Sequence, residues 1–454
     1  MHIRSKHIRP LILLAVMLLS VMPIVAQSAL DVIESNPEFS ASDYCIYPDS
    51  DFEALTPAPK GMKPFYISHY GRHGSRYLNN YKAYDFPYEV LLKADSLGKL
   101  TVEGMQAYEV VRAVIEDSED RWGDLTETGQ HQQQHIAHRM IANFPEVFKG
   151  KAFIDAHSTM LTRCVLSMSD AVLQMTSERP DLQVELHASF GDQNYLNHQD
   201  RLLRDSMMNY RAQKAFDEFS DKRWHNPRLM QMLFNDTAYV RQHVDEKWLG
   251  YYLLKTALIQ QNTGMRKHEG LLLNLFTSED IHQYWQQENA WWYITYGPSP
   301  LTYGLQPYSQ CTLLRKMIED ADSIIAGSRH GATLRFGHGT VILPLACLLG
   351  LNGYDQQIDD LEQLEERGWW ASKVFPMASN IQFVFYRKNK KDKDVIFKIL
   401  LNEKEAMLPI PSDIAPYYRW SDFREYYLQR IAEAESALSR ERNRIHAHLL
   451  NHGE

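Results

Sequence analysis

Three short apolar runs mark the chain, and each ends in a small polar cluster that leads toward a helical pattern. Phe65-Tyr66-Ile67-Ser68 reads as a buried strand before a turn rich in glycine and arginine. Ala152-Phe153-Ile154-Asp155-Ala156 ends in His157-Ser158-Thr159, and a helical spacing follows from Met160 to Met175. Leu334-Arg335-Phe336-Gly337 ends in His338-Gly339-Thr340, with an apolar helix expected from Val341 to Leu351. Repeated strand–loop–helix units predict an α/β fold with a mostly parallel sheet. Ligands of such sheets bind at the carboxyl ends of the strands, which would bring the segments of Arg72, Arg163 and His338 to one edge.

Between about 195 and 325 the period changes. Helical spacing dominates, aromatics such as Trp224, Trp248, Trp285, Trp291 and Trp292 are frequent, and no strand is evident. This predicts a helical cap, 195–325, inserted into an α/β domain made of 29–194 and 326–454. Residues 380–401 alternate apolar and polar positions around a charged turn and predict a hairpin. A charged amphipathic helix is expected over 421–449.

Composition narrows the function. Hydrophobic residues are 44% of the 454-residue chain, enough for a large core, and charged residues are 23%. The formal net charge of -9 argues against a nucleic-acid partner, which calls for a basic face. It leaves room for an anionic small molecule, because a few clustered arginines make a local positive pocket.

The first residues pattern as a targeting segment. His2, Arg4, Lys6 and Arg9 precede an apolar run from Leu11 to Val25, followed by the small residues Ala26, Ser28 and Ala29. This order predicts a signal peptide over 1–28 and a periplasmic or secreted protein, with no later segment apolar enough for a membrane helix. The four cysteines, Cys45, Cys164, Cys311 and Cys347, allow three full pairings that sequence does not distinguish. Cys347 lies in an apolar run and fits a buried thiol equally well. No CxxC pair is present, so a zinc site is not expected.

The densest chemistry lies in Arg72-His73-Gly74-Ser75-Arg76. Guanidinium forks match phosphate oxygens in pairs. Two arginines flanking a histidine can hold a phosphate while the imidazole faces phosphorus. Nearby positive charge keeps that imidazole neutral and nucleophilic. Gly74 is expected to let the backbone approach the anion.

Tyr70 to Tyr77 resembles the signature of the histidine acid phosphatases, the group that contains phytases. Other ordered segments carry the same resemblance. Leu125-Thr126-Glu127-Thr128-Gly129 is similar to the family's L-T-P-x-G helix start, with Glu127 where proline is common. His157 to Arg163 is similar to the segment with a further phosphate-binding arginine, Phe336-Gly337-His338 to the second histidine motif, and Asn380 to Leu401 to the late hairpin. The likeness spans about 62–410 outside the cap and is strongest to the multiple inositol polyphosphate phosphatase branch. It implies a histidine-phosphatase fold and phosphomonoester hydrolysis through a phosphohistidine, without cofactor or metal. It further implies His73 as nucleophile, Arg72, Arg76 and Arg163 as the phosphate clamp, and His338 as a donor to the transition state. The implied substrate is a small phosphomonoester, inositol hexakisphosphate among the candidates. The cap aromatics and Arg201, Arg204, Lys214, Lys222 and Arg223 are candidates for selecting it.

One position departs from the pattern. The family carries a carboxylic acid just after the second histidine, as His-Asp or His-Ala-Glu, to protonate the leaving oxygen. Here the run is His338-Gly339-Thr340. Three alternatives follow: another carboxyl serves, with Asp124, Glu127 and Asp192 as candidates; the substrate has a better leaving group, such as a phosphoanhydride or sugar 1-phosphate; or the protein binds phosphorylated ligands without efficient turnover. A phosphomutase is a further alternative, disfavoured by the export signal.

Overall fold

A computed structural model of the chain describes residues 27–452 except 50, 51, 199, 224, 225 and 328. Most of the expected signal peptide lies outside the described residues. Ser28, at its end, caps the helix Ala29–Ser35 by accepting from the Asp31 N–H.

The fold is α/β, built on one eight-stranded sheet. Its strands are β1 (Lys63–Arg72), β2 (Phe153–Ser158), β3 (Gln183–His187), β4 (Gly331–Gly337), β5 (Asn380–Arg387), β6 (Ile396–Leu401), β7 (Lys404–Ala406) and β8 (Tyr418–Arg419). The order is β3-β2-β4-β1-β5-β6-β7, with β8 on β6. Strands β3, β2, β4 and β1 are parallel neighbours, whereas the expected hairpin β5–β6 extends the sheet antiparallel from β1. The sheet is therefore mixed, and its parallel half carries the three motif-bearing strand ends. Register aligns those ends: Arg72 faces Gly337 and Ser158 faces Phe336.

Both faces of the sheet are covered, which explains why its central strands read as continuous apolar runs. Ile67, Ala156, Leu334, Phe336 and Val384 pack against the helices Glu127–Asn143 and Thr162–Glu178. Tyr66, Tyr70, Phe383 and Phe397 pack on the opposite face with the helices Cys311–Ala326, Gly339–Leu349 and Trp420–His452. Fully burying one such side chain contributes roughly 1.5–3 kcal/mol before entropy is charged against it. Strand β3 gave no apolar run because it is a mostly exposed edge, paired only with β2.

The described residues of 193–326 form helices and turns and add no strand to the sheet. A separate apolar core unites Glu246–Ile259 and Ser278–Tyr296 with two earlier helices, Lys82–Ser96 and Val102–Ser118. The helical wall over the strand ends thus draws on both sides of β2. Among the described residues no helix is long and apolar enough to cross a membrane. All four cysteines are buried free thiols. No disulfide pairing is realised.

Candidate active site

The Arg72–Arg76 turn leaves the end of β1 and is held from every side. His73 N–H donates to Gly337 O at the end of β4, and Ala378 N–H donates to His73 O. Gln133 Nε2 donates to Arg72 O, Ser167 Oγ accepts from Gly74 N–H, and Gln132 Oε1 accepts from Ser75 N–H. Arg76 bridges to Leu125, and Thr126, the N-cap of Glu127–Asn143, donates to Ser75 O from both N–H and Oγ1. The turn and the L-T-x-x-G segment are therefore one structural unit.

Gly74 has a different role from the one expected. A Cβ there would lie 2.2 Å from Gly129 O, and a Cβ on Gly129 would lie 2.2 Å from Ser75 O. The two glycines let the turn and the helix start pack backbone to backbone. Close approach to an anion is not what excludes a side chain at 74. Gly74→Ala is expected to destabilise the fold by about 1–3 kcal/mol, the usual cost of overpacking, and to lower the thermal midpoint. An unchanged melting curve would contradict this packing.

Arg72, His73, Arg76, Arg163 and His338 all line a single cavity of about 700 Å³. Arg72 Nη1 donates to Asp43 O and Phe375 O, and its Nη2 lies 3.5 Å from Asp43 Oδ2. Arg76 Nη1 donates to Tyr77 O and Tyr44 Oη, with its guanidinium 4.9 Å from the Tyr44 ring centre. Arg72 Nε, Arg76 Nε, Arg163 Nε and His338 Nε2 are buried and have no partner in the protein. Buried donors without partners are costly, so their gathering around one cavity marks a site built for an acceptor-rich anion.

His73 Nδ1 lies 2.9 Å from Gly74 O. A carbonyl only accepts, so this contact fixes the proton on Nδ1 and leaves the Nε2 lone pair free. Burial, then Arg72, Arg76, Arg163 and His338, hold His73 well below the usual histidine range, so the ring stays neutral. His338 sits with its ring centre 5.8 Å from that of His73. Burial, then Arg163, Arg72 and Arg76, lower it to about 3. Its Nδ1 is 3.4 Å from Cys164 Sγ, and burial pushes that thiol up to about 11, so it keeps its proton. The thiol also lies 3.4 Å from Gly337 O and donates to it, so Sγ, the carbonyl and the imidazole form one cluster at the end of β4. Cys164, weighed from sequence only as a disulfide partner, instead packs against the second histidine.

The remaining lining corrects several expectations. None of Asp124, Glu127 and Asp192 lines the cavity; its carboxyl groups are Asp43 and Glu288. Asp43 is committed to Arg72, while Glu288 accepts from Tyr251 Oη at 2.6 Å. The five basic cap residues also lie elsewhere, in surface ion pairs: Arg201 and Arg204 with Asp205, Lys214 with Glu218, Lys222 and Arg223 with Glu362. Each is partnered with a carboxylate, and all but the half-buried Arg223 are exposed, away from the cavity. The cap contributes instead Lys255 and an aromatic wall of Phe216, Trp248, Tyr251, Tyr252, Trp291 and Trp292. Trp285 is buried in the helical core, and Trp224 lies outside the described residues. Asp43 and Tyr44 went unnoticed because 30–60 reads only as a loop-rich segment.

A family model described as histidine phosphatase superfamily, branch 2, matches residues 71–402. The chain belongs to this family. It is accordingly a phosphoric monoester hydrolase of the histidine acid phosphatase type. Multiple inositol polyphosphate phosphatase 1 of Gallus gallus is 21% identical over 419 residues, 87% of each chain. The solved multiple inositol polyphosphate phosphatase of Bifidobacterium longum, in complex with inositol hexasulfate, superposes with a TM-score of 0.69 at 18% identity, covering 85% of this chain and 96% of that one. The phytase from D. castellii gives a TM-score of 0.63 at 14% identity, covering 87% and 85% respectively. At these identities the structural likeness bears on fold alone.

Proposed function

We propose that the protein is an exported phosphomonoesterase that hydrolyses inositol phosphates through a phosphohistidine on His73. The observation that carries this is the neutral imidazole with a free Nε2, set among buried, unpartnered donors of Arg72, Arg76, Arg163 and His338. The donors hold the phosphate oxygens, and Nε2 faces phosphorus. In the first step the Nε2–P bond forms as the ester P–O bond breaks, and the departing alkoxide takes a proton from solvent water, leaving hydroxide. In the second, water attacks phosphorus, inorganic phosphate leaves, and Nε2 regains its lone pair. Positioning and charge neutralisation carry most of such a reaction. The substrate assignment draws on the inositol polyphosphate phosphatase relatives and on a cavity with room for a six-membered ring beside the clamp. The apolar run after the basic amino-terminal residues supports export; sequencing the mature amino terminus tests it.

Phosphate release from inositol hexakisphosphate, lower inositol phosphates and p-nitrophenyl phosphate tests the reading. Release from none of them would sink it. A second reading, a phosphate-ligand binding protein with little turnover, is favoured by one observation: Gly339 and Thr340 supply no acid beside His338. Ligand binding with no release would favour it.

The pH profile follows from the electrostatics. With its pKa depressed, His73 is neutral at pH 6.5 and protonates only far below, so it does not set an acid limb near 6.5. Arg163→Ala removes one of the charges that depress it. The variant's His73 pKa is expected to rise, moving the acid limb of kcat/KM to higher pH. A profile unmoved by the substitution would count against the assigned coupling.

A further inference from the structure

We propose a divalent transition-metal site, with zinc(II) as the probe ion, at the exposed edge of the parallel sheet, built from Asp155, His157, Glu185 and His187. The case begins with register. Asp155 and His157 are two apart on β2 and share one face, and Glu185 and His187 do the same on β3. Parallel pairing sets Asp155 against Glu185 and His157 against His187. The spacing D-x-H on one strand and E-x-H on its neighbour thus places two imidazoles and two carboxylates in a square.

The distances suit a shared ion. Asp155 Oδ1 lies 2.9 Å from His157 Nε2 and 3.6 Å from His187 Nε2, and Glu185 Oε2 lies 3.8 Å from His187 Nε2. One ligand atom each from Asp155, His157 and His187 falls within 4.8 Å of the others. Ligands about 2 Å from a tetrahedral zinc stand roughly 3.3 Å apart, so small rotamer changes close the set. The two rings stack at 4.7 Å with 19° between planes, and both Nε2 atoms converge on Asp155 Oδ1.

An independent contact points the same way. Asp192 Oδ2 lies 3.2 Å from His157 Nδ1. A carboxylate on the far nitrogen holds a proton there, leaving Nε2 and the Asp155 oxygen 2.9 Å from it to take an ion between them, the arrangement that orients metal-bound histidines. Zinc sites were discounted from sequence because no paired cysteines occur. Imidazole and carboxylate ligands at strand spacing are not covered by that test.

The ion would tie the edge strand β3 to β2 and hold, through Asp192, the turn into the helix Gln193–Leu196. The next residue, Asn197, lines the active-site cavity. The role is structural and separate from phosphate hydrolysis.

Titration of the chelator-stripped full-length protein with zinc(II), followed by calorimetry and thermal melting, tests the site. Cobalt(II) serves as the spectroscopic probe. The expected result is one equivalent bound with a rise in melting temperature, and a cobalt spectrum of low coordination number. His187→Ala is expected to weaken binding at least 10-fold, and Asp192→Asn about 10–100-fold, the usual cost of losing an orienting carboxylate. Neither variant is expected to change the metal-free phosphatase rate. Absence of saturable binding, or equal affinity in His187→Ala, overturns the proposal.

Discussion

His73→Ala is expected to reduce phosphate release from every substrate by about 10⁴-fold or more, about 5 kcal/mol of transition-state stabilisation. The substitution removes the atom that bonds to phosphorus. Arg72, Arg76 and Arg163 are held by Asp43, Tyr44, Phe375 and Gly123 rather than by the imidazole, so the clamp survives the change. Inorganic phosphate should therefore still bind and still protect against heat. The measurement is single-turnover phosphate release, with phosphate binding as the control. A rate within tenfold of the parent would remove His73 from the reaction. Loss of both rate and binding would mean that the imidazole also builds the clamp.

The central features were legible because they rest on local rules. The strand ends that carry Arg72 and His338 follow buried apolar runs, and a parallel sheet must bring such ends to one edge. The helix start at Thr126 was legible through its resemblance to the family's L-T-P-x-G segment, and the structure gives the physical reason, an N-cap hydroxyl accepting from Gly129 N–H. The edge strand β3 was not, since an exposed, polar segment carries no hydrophobic period. The partner of Gly74 was hidden too. A glycine in a turn suggests ligand approach or a positive φ, whereas here it answers Gly129 from 55 residues away in sequence.

Selection of the substrate was the least legible part. Charge in the cap drew attention to Arg201, Arg204, Lys214, Lys222 and Arg223, and periodicity does not reveal that each meets a carboxylate at the surface. The aromatic residues that line the cavity come from separate helices, and their convergence is a tertiary fact. Asp43 and Tyr44 reach the arginines from an irregular turn with no period at all. In each case the missing information is which long-range neighbour satisfies a group, and composition cannot supply it.

Gly339→Asp, combined with Phe375→Leu, is expected to raise the rate for alkyl phosphomonoesters, inositol phosphates among them, by about 10²–10⁴-fold. The position follows His338, where a carboxylic acid could protonate the oxygen that leaves phosphorus. An alkoxide is a strong base and departs poorly without that proton; nitrophenolate is a weak base and needs little help. The gain should therefore be large for inositol phosphates and small for p-nitrophenyl phosphate. Space sets a condition on the result. A Cβ at 339 would lie 2.7 Å from Phe375 Cδ2 and 3.1 Å from Arg72 Cζ and Nε. The Phe375 ring packs against Trp292 at 4.8 Å and lies 5.6 Å from the Arg72 guanidinium, so it cannot yield without disturbing the clamp. The single variant should thus be less stable and show a muted gain. Pairing it with Phe375→Leu opens room for the new side chain and should release the full effect. The test is the ratio of alkyl-ester to aryl-ester kcat/KM in parent, single and double variants. A ratio that rises only when both changes are present would assign the slow step of the parent to the undonated proton. An unchanged ratio in the double variant would mean that the leaving oxygen is already protonated by a group within the cavity, with Glu288 the carboxyl to substitute next.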